Sequence, residues 1–204
     1  MTGEIDVMLH LGDQVYTWEN GCMLAAQRVM DLGLSPLSSP ALLRKMESRA
    51  ATKLQESYRN VWNQKQCAAA LSHSSHIMIW SDNDVTNDFT CAYGNDGSQT
   101  YKPAYLRIAM RVYQAYQKQL RDPGCGVSFD CPPPAKPALL QEWVFQQYGF
   151  VGVFLIDMRG NLIDDAGVLH RNPTLGTSQK EALQAAFAIP GLRCMVLGAE
   201  IPFV

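Results

Sequence analysis

The stretch Leu9–Tyr16, read Leu-His-Leu-Gly-Asp-Gln-Val-Tyr, begins as an apolar strand, breaks at Gly12, and then presents Asp13 and, three residues later, Tyr16. This places Asp13 at the carboxyl end of a strand, where open α/β sheets put their chemistry. Aspartate and tyrosinate are both hard oxygen donors, suited to a divalent or trivalent metal ion. A second acidic loop, Trp80-Ser81-Asp82-Asn83-Asp84, also follows an apolar segment. Two strand-end acidic loops in one sheet fit a metal-dependent hydrolase.

Working outward, the spacing predicts a buried strand over Ile5–Leu11, a helix over Cys22–Leu32, a Pro/Ser break over Leu34–Pro40 and a long amphipathic helix over Ala41–Trp62. It predicts a shorter helix over Gln66–Leu71 and a strand over His76–Trp80. The Asn/Asp/Gly-rich segment Asp82–Thr100 reads as a long loop. Lys102–Leu120 reads as a helix whose Tyr105, Ile108, Val112, Tyr113 and Tyr116 form an apolar stripe, expected in the core rather than around a cofactor. Asp122–Pro137 is a proline-rich connection. Leu140–Tyr148 and Val151–Asp157 read as strands of a hairpin turning near Gly149. Ser178–Phe187 is predicted to be a helix with Glu181 in a capping box, and Cys194–Leu197 a last strand. Strands alternate with helices, so the class is α/β, or a mixed sheet with helices on its faces.

The chain has 204 residues, enough for one domain with a real core. Charged residues make up 18% and the net charge is −2, without a basic run, which argues against nucleic-acid binding as the main function. No apolar run has the length of a membrane span. The amino terminus lacks the basic and apolar regions of a signal peptide, which points to the cytoplasm. Cys22, Cys67, Cys91, Cys125, Cys131 and Cys194 form no C-x-x-C pair and read as free thiols. Cys125 and Cys131 could pair if the chain were secreted.

Taken together, the motifs resemble the PhoD-like (alkaline phosphatase D-like) branch of the calcineurin-type metallophosphoesterases, nearly end to end. Asp6–Tyr16 resembles that family's strand and Gly-Asp-x-x-Tyr motif. Tyr58, Arg59 and Trp62 resemble its Tyr-Arg-x-x-Trp helix, and Ile77–Asp88 its Trp-Asp-Asp-His-Asp/Glu segment with the trailing Asn-Asp. Phe154–Arg159 resembles its Leu-Asp-x-Arg strand end, Leu175–Gln179 its Leu-Gly-x-x-Gln helix start, and Val196–Pro202 the strand before a proline. The resemblance implies an α/β, calcineurin-like metallophosphoesterase sandwich, with mixed sheets flanked by helices in four layers. It implies metal-dependent hydrolysis of phosphate mono- or diesters. Asp13, Tyr16 and Asp82 then stand at metal-ligand positions, for divalent or ferric ions such as Fe, Ca, Zn or Mn, and Arg159 is a candidate phosphate contact.

The chain departs from the pattern at Asn83, where the family carries the histidine expected to act on the leaving oxygen. Asparagine donates a hydrogen bond but delivers no proton near neutral pH. The earlier strand with the first metal ligands and the late histidine ligands are also unmatched. The expectation is therefore one partial domain over 1–204, with an incomplete sandwich and an impaired catalytic centre. The alternative is an inactive relative that works by binding, or one that self-associates through uncovered strands. Simpler roles stand beside these. Asp13 could cap a turn, Tyr16 could pack, and Asp82 and Asp84 could make Asx turns, with Asp84 the more structural of the two. His10 reads as a core histidine, and His73, His76 and His170 as surface or packing residues. Asp157 and Arg159 could form an ion pair that holds their loop.

Overall fold

The computed structural model describes residues 5–17, 40–85, 102–122, 142–160 and 175–200. The helix expected at Cys22–Leu32, the 34–40 break short of its last residue, most of the 82–100 loop, the proline-rich connection, His170 and Cys22, Cys91, Cys125 and Cys131 lie outside the described residues. Cys67 and Cys194 are free thiols.

Two small sheets organise these segments. β1 (Val7–Leu11) pairs in parallel with β2 (Ser75–Ile79), Leu9 opposite Ile77. A parallel pair needs a long crossover, and here it includes α1 (Pro40–Trp62) and α2 (Lys65–His73). α3 (Lys102–Tyr116) follows, with a single 3₁₀ turn at Lys118–Leu120. β3 (Val144–Tyr148) and β4 (Val151–Ile156) form an antiparallel hairpin through Gly149, whose φ of +60° is the left-handed conformation a tight turn requires. α4 (Thr177–Phe187) then leads to β5 (Cys194–Ala199), parallel to β4. The arrangement is mixed α/β, with two small sheets and helices.

The strand period of two explains how the sheets are packed. In β4, Val153 and Leu155 point into one core with Ile77, Ile79 and Trp80 of the β2 segment, Leu54 and Tyr58 of α1, and Ile108, Val112 and Tyr113 of α3. The alternate residues Phe154 and Ile156 point the other way, into a second core with Ala186 of α4 and the half-buried Leu183 and Met195. β4 is thus buried on both faces, which is why its sequence reads as a continuous apolar run. The expectation for the α3 stripe holds at Ile108, Val112 and Tyr113, which are buried; the side chain of Tyr105 lies outside the described part. Tyr116 stacks on Tyr58 with ring centroids 4.8 Å apart, and Trp62 meets both rings edge-on.

Two expectations need correction. α4 begins at Thr177 with Gly176 as its cap and no side-chain cap bond, so the capping box at Ser178 and Glu181 is not formed. Gln179 is drawn inward instead. Its Oε1 accepts from the Asp157 N–H at 2.8 Å, and its Nε2 donates to the carbonyls of Asp157 and Leu175, both at 3.0 Å. The loop at Asp157 and Arg159 is also held differently. Asp157 accepts backbone N–H groups from Glu142, Arg159 and Gly160, while the Arg159 guanidinium reaches Asp82 and Glu200. His76, expected at the surface or in packing, is the latter: it is buried and its ring pairs with that of His10.

Candidate functional site

The carboxyl ends of β1, β2, β4 and β5 come together, and each carries polar residues into the same region. β1 ends in a tight turn. Gly12 has φ +95°, and Asp13 itself has φ +52°, a left-handed conformation that costs a non-glycine residue roughly 1–2 kcal/mol. The turn is tight because β1 runs against the β2 loop: a Cβ on Gly12 would lie 2.5 Å from Ser81 Cβ and 3.4 Å from Glu200 Cβ. A Gly12→Ala variant is therefore expected to lose about 2–4 kcal/mol, strain and overlap combined. Urea denaturation would measure this, and an unchanged midpoint would show that the Gly12 turn does not approach the Ser81 loop so closely. Thr17 fastens the other end of the turn, its Oγ1 donating to the carbonyls of Asn83 and Val85 at 3.3 and 2.9 Å.

The turn exposes Asp13, and two residues close on one of its oxygens. Tyr16 Oη donates to Asp13 Oδ2 at 3.2 Å and Asn83 Nδ2 donates to the same atom at 3.1 Å. Asp13, Tyr16 and Asn83 are thus one cluster, in which Asn83 is brought from a distant loop to the Asp13–Tyr16 turn. Tyr16 remains 40% exposed, so the cluster faces solvent on that side. Next to it, Asp82 Oδ1 accepts from Ser81 Oγ at 2.9 Å and from Arg159 Nη2 at 3.1 Å. Arg159 Nε lies 3.0 Å from Glu200 Oε1, so the guanidinium is held between two carboxyl groups. Burial pushes the Glu200 carboxyl up to about 8.

Beneath both clusters lies Asp84, fully buried. Its Oδ1 accepts from the Gln14 and Val15 N–H groups at 3.1 and 3.3 Å, from Tyr58 Oη at 3.3 Å and from Gln117 Nε2 at 3.0 Å; its Oδ2 accepts from the Ser81 N–H at 2.9 Å. Burial raises the carboxyl to about 7, with the backbone donors of Ser81 and Val15 opposing the rise. Asp84 ties the β1 turn, the β2 loop, α1 and the end of α3 to one point.

Sequence reasoning singled out Asp13, Tyr16, Asp82, Asn83 and Arg159, and the structure brings them to one end of the sheets. It did not single out Glu200, Gln117 or the role of Tyr58 as a donor. Tyr58 had a signal in the Tyr-Arg-x-x-Trp pattern and Glu200 lay within the Val196–Pro202 segment; Gln117 had none, because only the folded chain carries it to Asp84.

Acidic, amide and arginine side chains are thus gathered at the carboxyl ends of parallel strands, where α/β folds place their ligand sites. The family model of the PhoD-like phosphatases matches residues 1–204, the whole chain, and the protein belongs to that family. Family membership supports a phosphoesterase function in general. No curated protein and no solved structure matches the chain. Among the described residues, no helix is long and apolar enough to cross a membrane.

PhoD-like phosphatases are metal-dependent in general. Asp13 and Tyr16 supply hard oxygen donors at one point, but Asn83 turns its amide nitrogen there, and Asp82 faces the positive guanidinium of Arg159, which opposes a cation. No group of three or more His, Cys, Asp or Glu side chains able to hold a metal ion occurs among the described residues. These donors do not fit a two-ion centre.

Proposed function

We propose that the chain binds and hydrolyses phosphate mono- or diesters at the Asp13–Tyr16–Asn83 and Asp82–Arg159 clusters, with weakened leaving-group chemistry. The observation that carries this reading is the convergence of four strand ends on these side chains in a chain of PhoD-like sequence. Arg159 supplies the positive charge and planar donors that suit a phosphate group. Tyr16 and Asn83 orient the Asp13 carboxylate. Asn83 stabilises charge by hydrogen bonding but gives no proton to the departing oxygen. Esters with aryl leaving groups, which depart without a proton, are the preferred substrates. The two sheets then represent part of a calcineurin-like sandwich over one domain, and the absence of a basic run disfavours nucleic acid as the ligand.

The test is aryl-phosphate turnover by the purified chain, without and with Fe, Ca, Zn or Mn, beside Asp13→Ala. The expected result is turnover that falls on the order of 10²-fold or more in Asp13→Ala. A folded chain inert under every condition would favour the second reading, a family member that binds without catalysis, for which the guanidinium placed on Asp82 speaks. In that case, light scattering would show whether a second copy completes the site.

A further inference from the structure

A chain of polar contacts runs along β1 to the turn that carries Asp13. Its direction is set at one end. The Gly12 carbonyl only accepts, so the Gln14 side chain, 3.0 Å away, must present its Nε2 there and its Oε1 to His10 Nδ1, at 3.1 Å. An amide oxygen only accepts, so His10 carries its proton on Nδ1 and its Nε2 is an acceptor. That Nε2 is 2.9 Å from His76 Nδ1, which must therefore be the donor. His76 Nε2 is left as the acceptor towards Ser74 Oγ, 3.5 Å away. Every tautomer in the run from Ser74 to Gly12 follows from one backbone carbonyl.

We propose that His10 and His76 are positioning residues for Asp13, acting through Gln14 to hold the Gly12–Asp13 turn and to make it responsive to acid. The proposal rests on the reading of Asp13 as a working residue of the site. Gln14 is the connecting piece: its side chain joins His10 to the Gly12 carbonyl, and its backbone N–H is bonded to Asp84. The turn has a left-handed Asp13 and depends on such bonds to keep it. The pair can accept one proton by moving the shared hydrogen to the His10 side, with His76 donating from Nε2 instead. A second proton would put two N–H groups face to face across 2.9 Å and part the rings.

Among the described residues, the titratable group acting on His10 is His76 from β2; Gln14 from the turn is neutral, as is Ser74 beside His76. Burial first, and then His76, lower His10 below the usual 6.5. The folded pKa lies under the unfolded one, so this group's stability contribution is present above about pH 6.5 and is lost as pH falls.

Nitrogen-15 spectra of the full chain's histidines and amides, followed between about pH 5 and 8, test the proposal. The expected result is Nδ1-protonated rings at His10 and His76 at neutral pH. The amide signals of Asp13 and Gln14 should shift with the His10 midpoint. In Gln14→Leu, His10 should still titrate while the Asp13 response is lost. A His10 protonated on Nε2, an indifferent Asp13 amide, or a response that survives Gln14→Leu would each overturn it. Aryl-phosphate turnover of Asp13→Ala stands apart from this readout. Undiminished activity there would remove the site reading, whereas the spectra decide the coupling by themselves.

Discussion

Replacing Asp84 with alanine is expected to destabilise the protein by about 3–5 kcal/mol, the range for removing one partner from a buried charged network. The effect is large because the donors remain. The N–H groups of Gln14, Val15 and Ser81, the Tyr58 hydroxyl and the Gln117 amide would all be left facing a cavity. Asparagine is the informative control. Placed with its oxygen at Oδ1, it keeps the four donors there and opposes only the Ser81 N–H with its own amide. Asp84→Asn is therefore expected to cost about 1–3 kcal/mol, the penalty of one unsatisfied buried group. Urea denaturation of both variants would settle the ranking. Equal and small losses would mean that Asp84 does not join the β1 turn to the two helices.

The same carboxyl has a pH signature. Its folded pKa, about 7, lies above its unfolded value of about 3.9. Between those values the folded state holds a proton that the unfolded state has released, so this group's contribution to stability falls as pH rises from about 4 to 7. Both Asp84 variants should lose that part of the pH dependence.

The second large effect is expected at Asn83. Asn83→His should raise turnover of alkyl phosphates by about two to four orders of magnitude, the usual worth of general acid catalysis, and change aryl phosphates little. The side chain is well placed for the exchange: Asn83 Nδ2 lies 3.1 Å from Asp13 Oδ2, and an imidazole N–H can replace that bond. A selective gain would mean that a proton donor is the missing part of a working site. No gain with either ester, from a folded variant, would count for the binding protein over the enzyme. The comparison of leaving groups matters more than the absolute rate, because a loosened turn would lower both.

Much of the fold is legible in the sequence. The apolar run Val151–Ile156 and the turn at Gly149 announce the hairpin, and the 3.6-residue spacing announces α1 and α3, since periodicity is local. The capping box at α4 misled because Gln179 has a better use. Turned inward, it satisfies both backbone groups of Asp157, a partner that no local rule can foresee. The pairing of the two histidines was hidden for the same reason. His10 and His76 have unremarkable spacing in the chain, and only the parallel register of β1 and β2, with Met8 opposite His76, sets the rings side by side.

For the site, the sequence by itself determined which chemistry is at hand: a glycine that permits a sharp turn, acidic residues after two strands, an arginine after a third, and an asparagine in place of a histidine. These are properties of residue type and order along one strand end. The tertiary structure alone decided how the charges are shared. It gave the Arg159 guanidinium to Asp82 and Glu200 rather than to Asp157, made Asp13 the acceptor of both Tyr16 and Asn83, and made Asp84 the buried anchor. Those pairings depend on distances between strands that are far apart in the chain, and a buried polar group takes whichever partner the packing brings within reach.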